Sequence, residues 1–192
     1  MNRFLVAAML LFCLLWSGSA TAHAAAYYDF VLASPVESSE LTYSDEAINI
    51  KFFIPSRNVT AVHFQLYNKT SDPIKLIWDF ASFISPIQET LRISRERVPY
   101  AGDIGIKHID PTIVLPNTNK NDHIKVSYII HAASLHSFKP YWNQETLFPD
   151  IYDEATLYNN ATFGVVLPIE IKGEIKYYNF TFRITNVKKE SK

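Results

Sequence analysis

Alternation of apolar and polar residues with a period of two runs through most of this chain and marks strands buried on one face. Ile48, Ile50, Phe52 and Ile54 fall on one side of a first segment, with Asn49, Lys51 and Phe53 opposite. Val62, Phe64 and Leu66 repeat the pattern against His63, Gln65 and Tyr67. After the polar turn Asn68 to Pro73, Ile74, Leu76, Trp78 and Phe80 share a face, so residues 59–83 read as a hairpin. Further strands are expected at Glu89 to Ser94, at Pro111 to Pro116 and from Ile124 to Ile130. The prolines bounding the 111–116 segment place it at a sheet edge. The clearest hairpin comes last: Phe163 to Ile171 turns at Lys172-Gly173 into Ile175 to Val187, with Tyr178, Phe180, Phe182 and Ile184 in phase.

Two stretches break the alternation. Residues 95–110 hold two of the five glycines and many charges and read as a long loop. Residues 133–160 form a second irregular region, rich in aromatics and containing Pro140 and Pro149. No segment has the period of an amphipathic helix. The expected fold is all-β, an antiparallel immunoglobulin-like sandwich of about seven or eight strands, with a closed barrel as the alternative.

The start of the chain has a different character. Met1-Asn2-Arg3 leads into an apolar run from Phe4 to Trp16, then small residues ending in Ala22-His23-Ala24. That is the pattern of a cleaved export signal, and the run is shorter than the roughly 20 residues needed to span a bilayer. Residues 1–24 are therefore expected to be a signal peptide and residues 25–192 a single exported domain, periplasmic or extracellular. Cys13, the one cysteine, lies inside the apolar run, preceded by Phe12 instead of the small residue a lipid-attachment site requires. The mature chain then has no thiol for a disulfide, a metal or catalysis.

Composition removes other classes. The net charge is −1 and only Lys188-Lys189 forms a like-charged run, which argues against a nucleic-acid surface. Scarce glycine argues against phosphate-cradling loops. No cofactor motif is present, and no second apolar span follows the leader.

The residues that could carry chemistry are scattered. His63, His108, His123, His131 and His136 show no compact metal-binding spacing; the last two are five apart, which suits neither a helix face nor a strand face. Asp150, Asp153 and Glu154 cluster without the spacing of a calcium loop. No serine sits in a nucleophile motif. The segment Phe138-Lys139-Pro140-Tyr141-Trp142 and the following Leu147-Phe148-Pro149 are the most suggestive. Phe138, Tyr141, Trp142 and Phe148 are candidate binding residues, because aromatic side chains combine large apolar area with a polar handle. The competing reading is that this segment folds back and plugs the open end of the sheet. Sequons at Asn58, Asn68, Asn160 and Asn179 are read as turn and strand composition. The apolar stretch Ala25 to Leu32 is expected to pair within its own fold, the alternative being donation to a neighbouring subunit.

Phe64-Gln65-Leu66-Tyr67-Asn68-Lys69-Thr70, Ile74-Lys75-Leu76-Ile77-Trp78-Asp79, Pro111-Thr112-Ile113-Val114-Leu115-Pro116-Asn117 and Leu147-Phe148-Pro149 occur in this order. This set resembles a group of uncharacterised exported bacterial proteins, many of them lipoproteins. The resemblance spans about half of the mature domain, residues 64–150. It implies an immunoglobulin-like sandwich and a place in the bacterial cell envelope, and it brings no catalytic residue. The chain departs from the lipoprotein members in lacking a usable lipid-attachment cysteine.

Taken together, these features lead us to expect a non-enzymatic binding or structural module, meeting another envelope protein or component through the 95–110 and 133–160 loops. A periplasmic hydrolase or metal-dependent enzyme, and a strand-donating filament subunit, are the competing classes.

Overall fold

The computed structural model describes residues 24–94, 108–126, 128–130, 141–143 and 146–190. Residues 1–23 with Cys13, residues 95–107 of the first irregular region, and His131, His136 and Phe138 lie outside them. The elements are β1 (Ala26–Ser34), β2 (Thr42–Ser44), β3 (Ile48–Phe53), β4 (Val62–Asn68), β5 (Ile74–Leu76), a 3-10 turn (Trp78–Phe80), β6 (Ser82–Ile84) and β7 (Thr90–Ser94). They continue with β8 (Thr112–Val114), β9 (Asn119–Val126), β10 (Tyr128–Ile130), β11 (Tyr141–Asn143), a one-turn helix α1 (Tyr152–Ala155) running into a second 3-10 turn (Thr156–Tyr158), β12 (Thr162–Ile171) and β13 (Glu174–Lys189).

The fold is all-β and every strand pair is antiparallel. Eleven strands form one sheet in the order β1-β13-β12-β6-β7-β9-β4-β3-β2, with β5 lying on β12 and β8 on β5. β7 pairs with β6 through Thr90–Arg92 and with β9 through Ile93 and Ser94, so it joins what would be the two layers of a sandwich. The two end strands then approach each other. Leu32 and Ser38 exchange backbone hydrogen bonds at 2.9 and 3.0 Å, and Tyr28 N–H donates to Ser56 O at 2.8 Å. The result is a nearly closed barrel. Of the two architectures expected, the barrel is the nearer description, because pairing through β7 removes an open edge.

The inward phase is the one the alternation indicated. Ile48, Ile50 and Phe52 of β3, Val62, Phe64 and Leu66 of β4, and Tyr178, Phe180, Phe182 and Ile184 of β13 are all buried. Phe52 meets Phe180 and Phe182 edge-on across the interior, with ring centres 4.8 and 4.9 Å apart. Each such side chain contributes about 1.5–3 kcal/mol on leaving water. In the last hairpin Lys172 (φ 53) and Gly173 (φ 85) are both left-handed, as a two-residue turn that follows strand twist requires. β1 pairs with β13 from Ala26 to Ser34, so the N-terminal strand is used within its own chain.

Two local expectations fail. β4 does not form a hairpin with β5; it lies between β3 and β9, while β5 lies between β12 and β8. The reason is Asn68, which is fully buried. Its amide donates to Asp72 O at 2.8 Å and to Val114 O at 3.0 Å, and its side-chain oxygen accepts from Thr70 N at 2.9 Å. These bonds turn the chain from one wall to the other. Trp78 and Phe80 do not continue the β5 strand either. Ile77 N–H bonds to Pro168 O and Ala81 N–H to Trp78 O, which winds residues 78–80 into the 3-10 turn. Trp78 enters the core while Phe80 stays 57% exposed.

Residues 146–160 cover one end of the barrel. Leu147 N–H bonds to Val59 O, Ala26 N–H to Asp150 O, and Tyr152 N–H to Ala24 O. The Tyr28 hydroxyl donates to Pro149 O at 2.6 Å. Burial and the nearby Asp150 carboxylate push that hydroxyl's pKa up. α1 adds Ala155, also fully buried.

Candidate functional site

The wall of the barrel is interrupted between Leu76–Thr112 and Ser82–Arg92, the cross-strand pairs that bracket the gap. The 3-10 turn breaks the lane that holds β5 and β6. In the neighbouring lane β7 pairs with β6 only as far as Arg92, and β8 begins at Thr112.

Three side chains cross the gap. The Trp78 indole N–H donates to Thr112 Oγ1 at 2.9 Å, and Thr112 Oγ1 donates to Asp122 Oδ2 at 3.4 Å. Asp122 Oδ1 accepts the His123 N–H at 2.9 Å. Asp122 is in phase with Ile124 and Val126 and opposite Phe64, so its carboxylate points inward, with 4% of the side chain exposed. A buried carboxylate is costly unless hydrogen-bonded, which is what this relay supplies. The signal in the sequence was the apolar phase itself, which runs back from Ile124 to Asp122.

Outside the relay, Asp79 is the residue after Trp78. Its Oδ1 accepts Ile109 N–H at 3.0 Å and its Oδ2 meets His108 Nδ1. The Ile109 bond, aided by His108, holds the Asp79 carboxyl below its usual pKa. His108 is 68% exposed, and its Nε2 lies 3.9 Å from Asp110. On the outer face nearby, Phe53, His63 and His123 form a row across β3, β4 and β9.

The aromatic candidates separate. Phe148 is a core residue, not a contact residue. It is 2% exposed and packs on Tyr28, Phe30 and Phe163 with ring centres 5.4, 5.7 and 4.9 Å apart. Its burial follows from closing the barrel end. Tyr141 and Trp142 belong to β11, whose backbone pairs with Ile130 and Ile129 of β10 in a two-stranded ribbon separate from the main sheet. Asp153 and Glu154 sit in the first turn of α1, and Asp150 accepts from Ala26 through its backbone. Among the described residues no three of His, Cys, Asp and Glu are placed to hold one metal ion. Asn68 of the second sequon is buried in the turn it builds, whereas Asn58, Asn160 and Asn179 are exposed.

A second feature lies on the outer face of the opposite wall. Register places Ile113, Lys75, Glu170 and Ile175 in one row across β8, β5, β12 and β13. Lys75 Nζ and Glu170 Oε1 pair at 2.7 Å in its centre. Around that ion pair, Ile113, Leu115, Ile175 and Tyr177 are 57, 58, 42 and 53% exposed. Nothing in the primary sequence marked this patch, because it is assembled from strands up to about a hundred residues apart, as antiparallel folds allow.

No protein-family model, curated protein or solved structure matches this chain.

Its chemistry therefore has to be read from its own residues. The His108–Asp79 pair can orient an imidazole with Nδ1–H toward the carboxylate and Nε2 toward solvent. Among the described residues the ring contacts Asp79 and Asp110. The Asp122 relay lies inward and supports the wall. Ile113, Leu115, Ile175 and Tyr177, by contrast, face water.

Proposed function

We propose that the chain is an exported, non-catalytic binding or structural module of the bacterial cell envelope, engaging another envelope protein or component. The export signal and the resemblance to exported bacterial proteins support the compartment. The observation that carries the binding role is the exposed set Ile113, Leu115, Ile175 and Tyr177 around the Lys75–Glu170 pair. Apolar side chains around a paired charge combine desolvation with a polar anchor, as in the buried centre and polar groups of protein interfaces. Tyr141 and Trp142 on the β10–β11 ribbon are a second contact element in this reading. The use of β1 on β13 favours a self-contained module over a strand-donating filament subunit.

The test compares the mature chain with an Ile113→Glu/Ile175→Glu double variant as baits for envelope extracts. Both positions are exposed, so the thermal midpoints should agree. A component retained by the wild type and lost by the variant supports the reading; equal retention overturns the role of this face. The enzyme reading rests on His108–Asp79. It predicts a hydrolytic activity in the mature chain that His108→Ala abolishes.

A further inference from the structure

The two-residue turn at Lys172-Gly173 makes Ile171↔Glu174 a hydrogen-bonded pair, and the bonding alternates from there. Glu174, Lys176, Tyr178 and Phe180 thus direct their peptide groups at β12, and Ile175, Tyr177 and Asn179 direct theirs away from it. The Ile77 N–H bond to Pro168 O agrees, because it points residue 168 of β12 away from β13. Farther along, β1 occupies the outer side of β13 through Thr181↔Ser34 and Arg183↔Val31. That pairing ends at Ser34, just before Pro35. Among the described residues no backbone group pairs with this side of β13 from Ile175 to Asn179. Tyr43 and Asp45 reach Lys176, Tyr178 and Phe180 through side chains.

An open sheet edge is usually blunted by a proline, a bulge or a projecting lysine. Residues 174–180 contain no proline, and their register with β12 runs without a shift. The one lysine, Lys176, is held by Asp45 at 2.8 Å and lies over the Tyr178 ring at 4.6 Å. We propose that this edge pairs with the same edge of a second copy of the chain, antiparallel, about a two-fold axis at Tyr177.

The open stretch is self-complementary in length, bonding and charge. Tyr177 is its midpoint, between the turn at Gly173 and Thr181, where β1 takes over. An axis there sets each turn against the β1 end of the other copy, so the whole open edge is used. Tyr177 then pairs with Tyr177 and Ile175 with Asn179, all through edge-facing peptide groups, for about six backbone hydrogen bonds. No charge meets a like charge: Glu174 falls opposite Phe180, and Lys176 opposite Tyr178. At the axis two tyrosine rings stand side by side, a favourable cross-strand pair. The axis is perpendicular to the sheet, so the outer faces of both copies look the same way. The Ile113–Lys75–Glu170–Ile175 rows then lie on one continuous face. The pairing goes beyond the envelope-partner reading and does not rest on it, because backbone groups make it and leave the patch on the outer face.

The experiment is sedimentation equilibrium of the mature chain from micromolar to millimolar concentration, beside Tyr177→Asp, Tyr177→Lys, Asn179→Pro and Ile113→Glu. The wild type should form dimers and stop there, since a two-fold pairing consumes the edge. Tyr177→Asp or Tyr177→Lys alone puts like charges on the axis and should weaken dimerisation at least about tenfold. Mixed in equal amounts, the two should recover it. Asn179→Pro removes an edge-facing N–H and no bond to β12, and should weaken dimerisation likewise. Ile113→Glu, on the same face but away from the edge, should dimerise as the wild type does, whatever its effect on an envelope partner. A photo-crosslinking residue at Tyr177 should also give a species of twice the chain mass, apart from any adduct it shares with Ile113. Should Asn179→Pro fold poorly, the variants at the exposed Tyr177 decide the matter. A monomer at every concentration, wild-type dimerisation in both Tyr177 variants, or no recovery in their mixture would overturn the edge pairing.

Discussion

Asp45 in the β2–β3 turn and Lys176 on β13 meet at 2.8 Å, Nζ to Oδ2, across the seam between the two ends of the sheet. The Tyr178 hydroxyl donates to the same oxygen at 3.0 Å, and Oδ1 accepts the N–H groups of Ala47 and Ile48 at 2.9 and 2.8 Å. Tyr43 packs edge-on against Tyr178 and Phe180 beside them. Side chains thus close the barrel where β1 no longer covers β13.

This latch carries a pH signature. Partial burial works against the Asp45 charge, but the bonds from Lys176, Ile48, Ala47 and Tyr178 outweigh it and bring the pKa down from 3.8 to about 2. A carboxylate depressed in the folded state stabilises it fully above the unfolded pKa. That contribution should be lost as the pH falls from about 3.8 towards about 2. Asp45→Asn should cost on the order of 1–2 kcal/mol at neutral pH and flatten the acid limb. Denaturant titrations at a series of acidic pH values check both.

Thr112 is the middle of the relay through the wall. Thr112→Val keeps the shape but removes the acceptor of the Trp78 indole N–H and a donor to Asp122. The expected loss is about 1–3 kcal/mol, the range for a disrupted buried hydrogen bond. Thermal unfolding together with tryptophan fluorescence would follow stability and the Trp78 environment.

Phe148 should respond strongly to truncation. Phe148→Ala removes a ring shared by Tyr28, Phe30 and Phe163 and should cost about 3–5 kcal/mol. Chemical denaturation of this variant checks the closure of the barrel end.

Gly164 is set by a neighbour. A Cβ there would lie 3.2 Å from Ile84 Cδ1, 3.3 Å from Ile84 Cβ and 3.4 Å from Phe180 O. Gly164→Ala should therefore destabilise by about 1–3 kcal/mol through overpacking. Ile84→Val removes the nearest of these atoms and should recover part of the loss, a coupling measurable in a double-mutant cycle.

The strands were legible because alternation is a local property: the phases of Ile48 to Phe52, Val62 to Leu66 and Tyr178 to Ile184 all survive in the barrel. Pairing was less so. The 68–73 turn looked like a hairpin tip, yet the buried Asn68 amide binds Val114, which no local pattern announces. The same holds for His108 with Asp79, and for His63 with His123, whose partners are set by register. Phe148 misled for a further reason. An aromatic residue in an irregular segment carries no periodicity to tell a covering layer from an exposed one.

The binding role itself is tested most directly by contact in the envelope. A photo-crosslinking residue placed in turn at Ile113, at Tyr177 and at Lys51, an exposed position on the other wall, would be activated in intact cells. The apolar face should give one discrete adduct from both Ile113 and Tyr177 and none from Lys51. No adduct from the face, or the same adducts from all three positions, would contradict it.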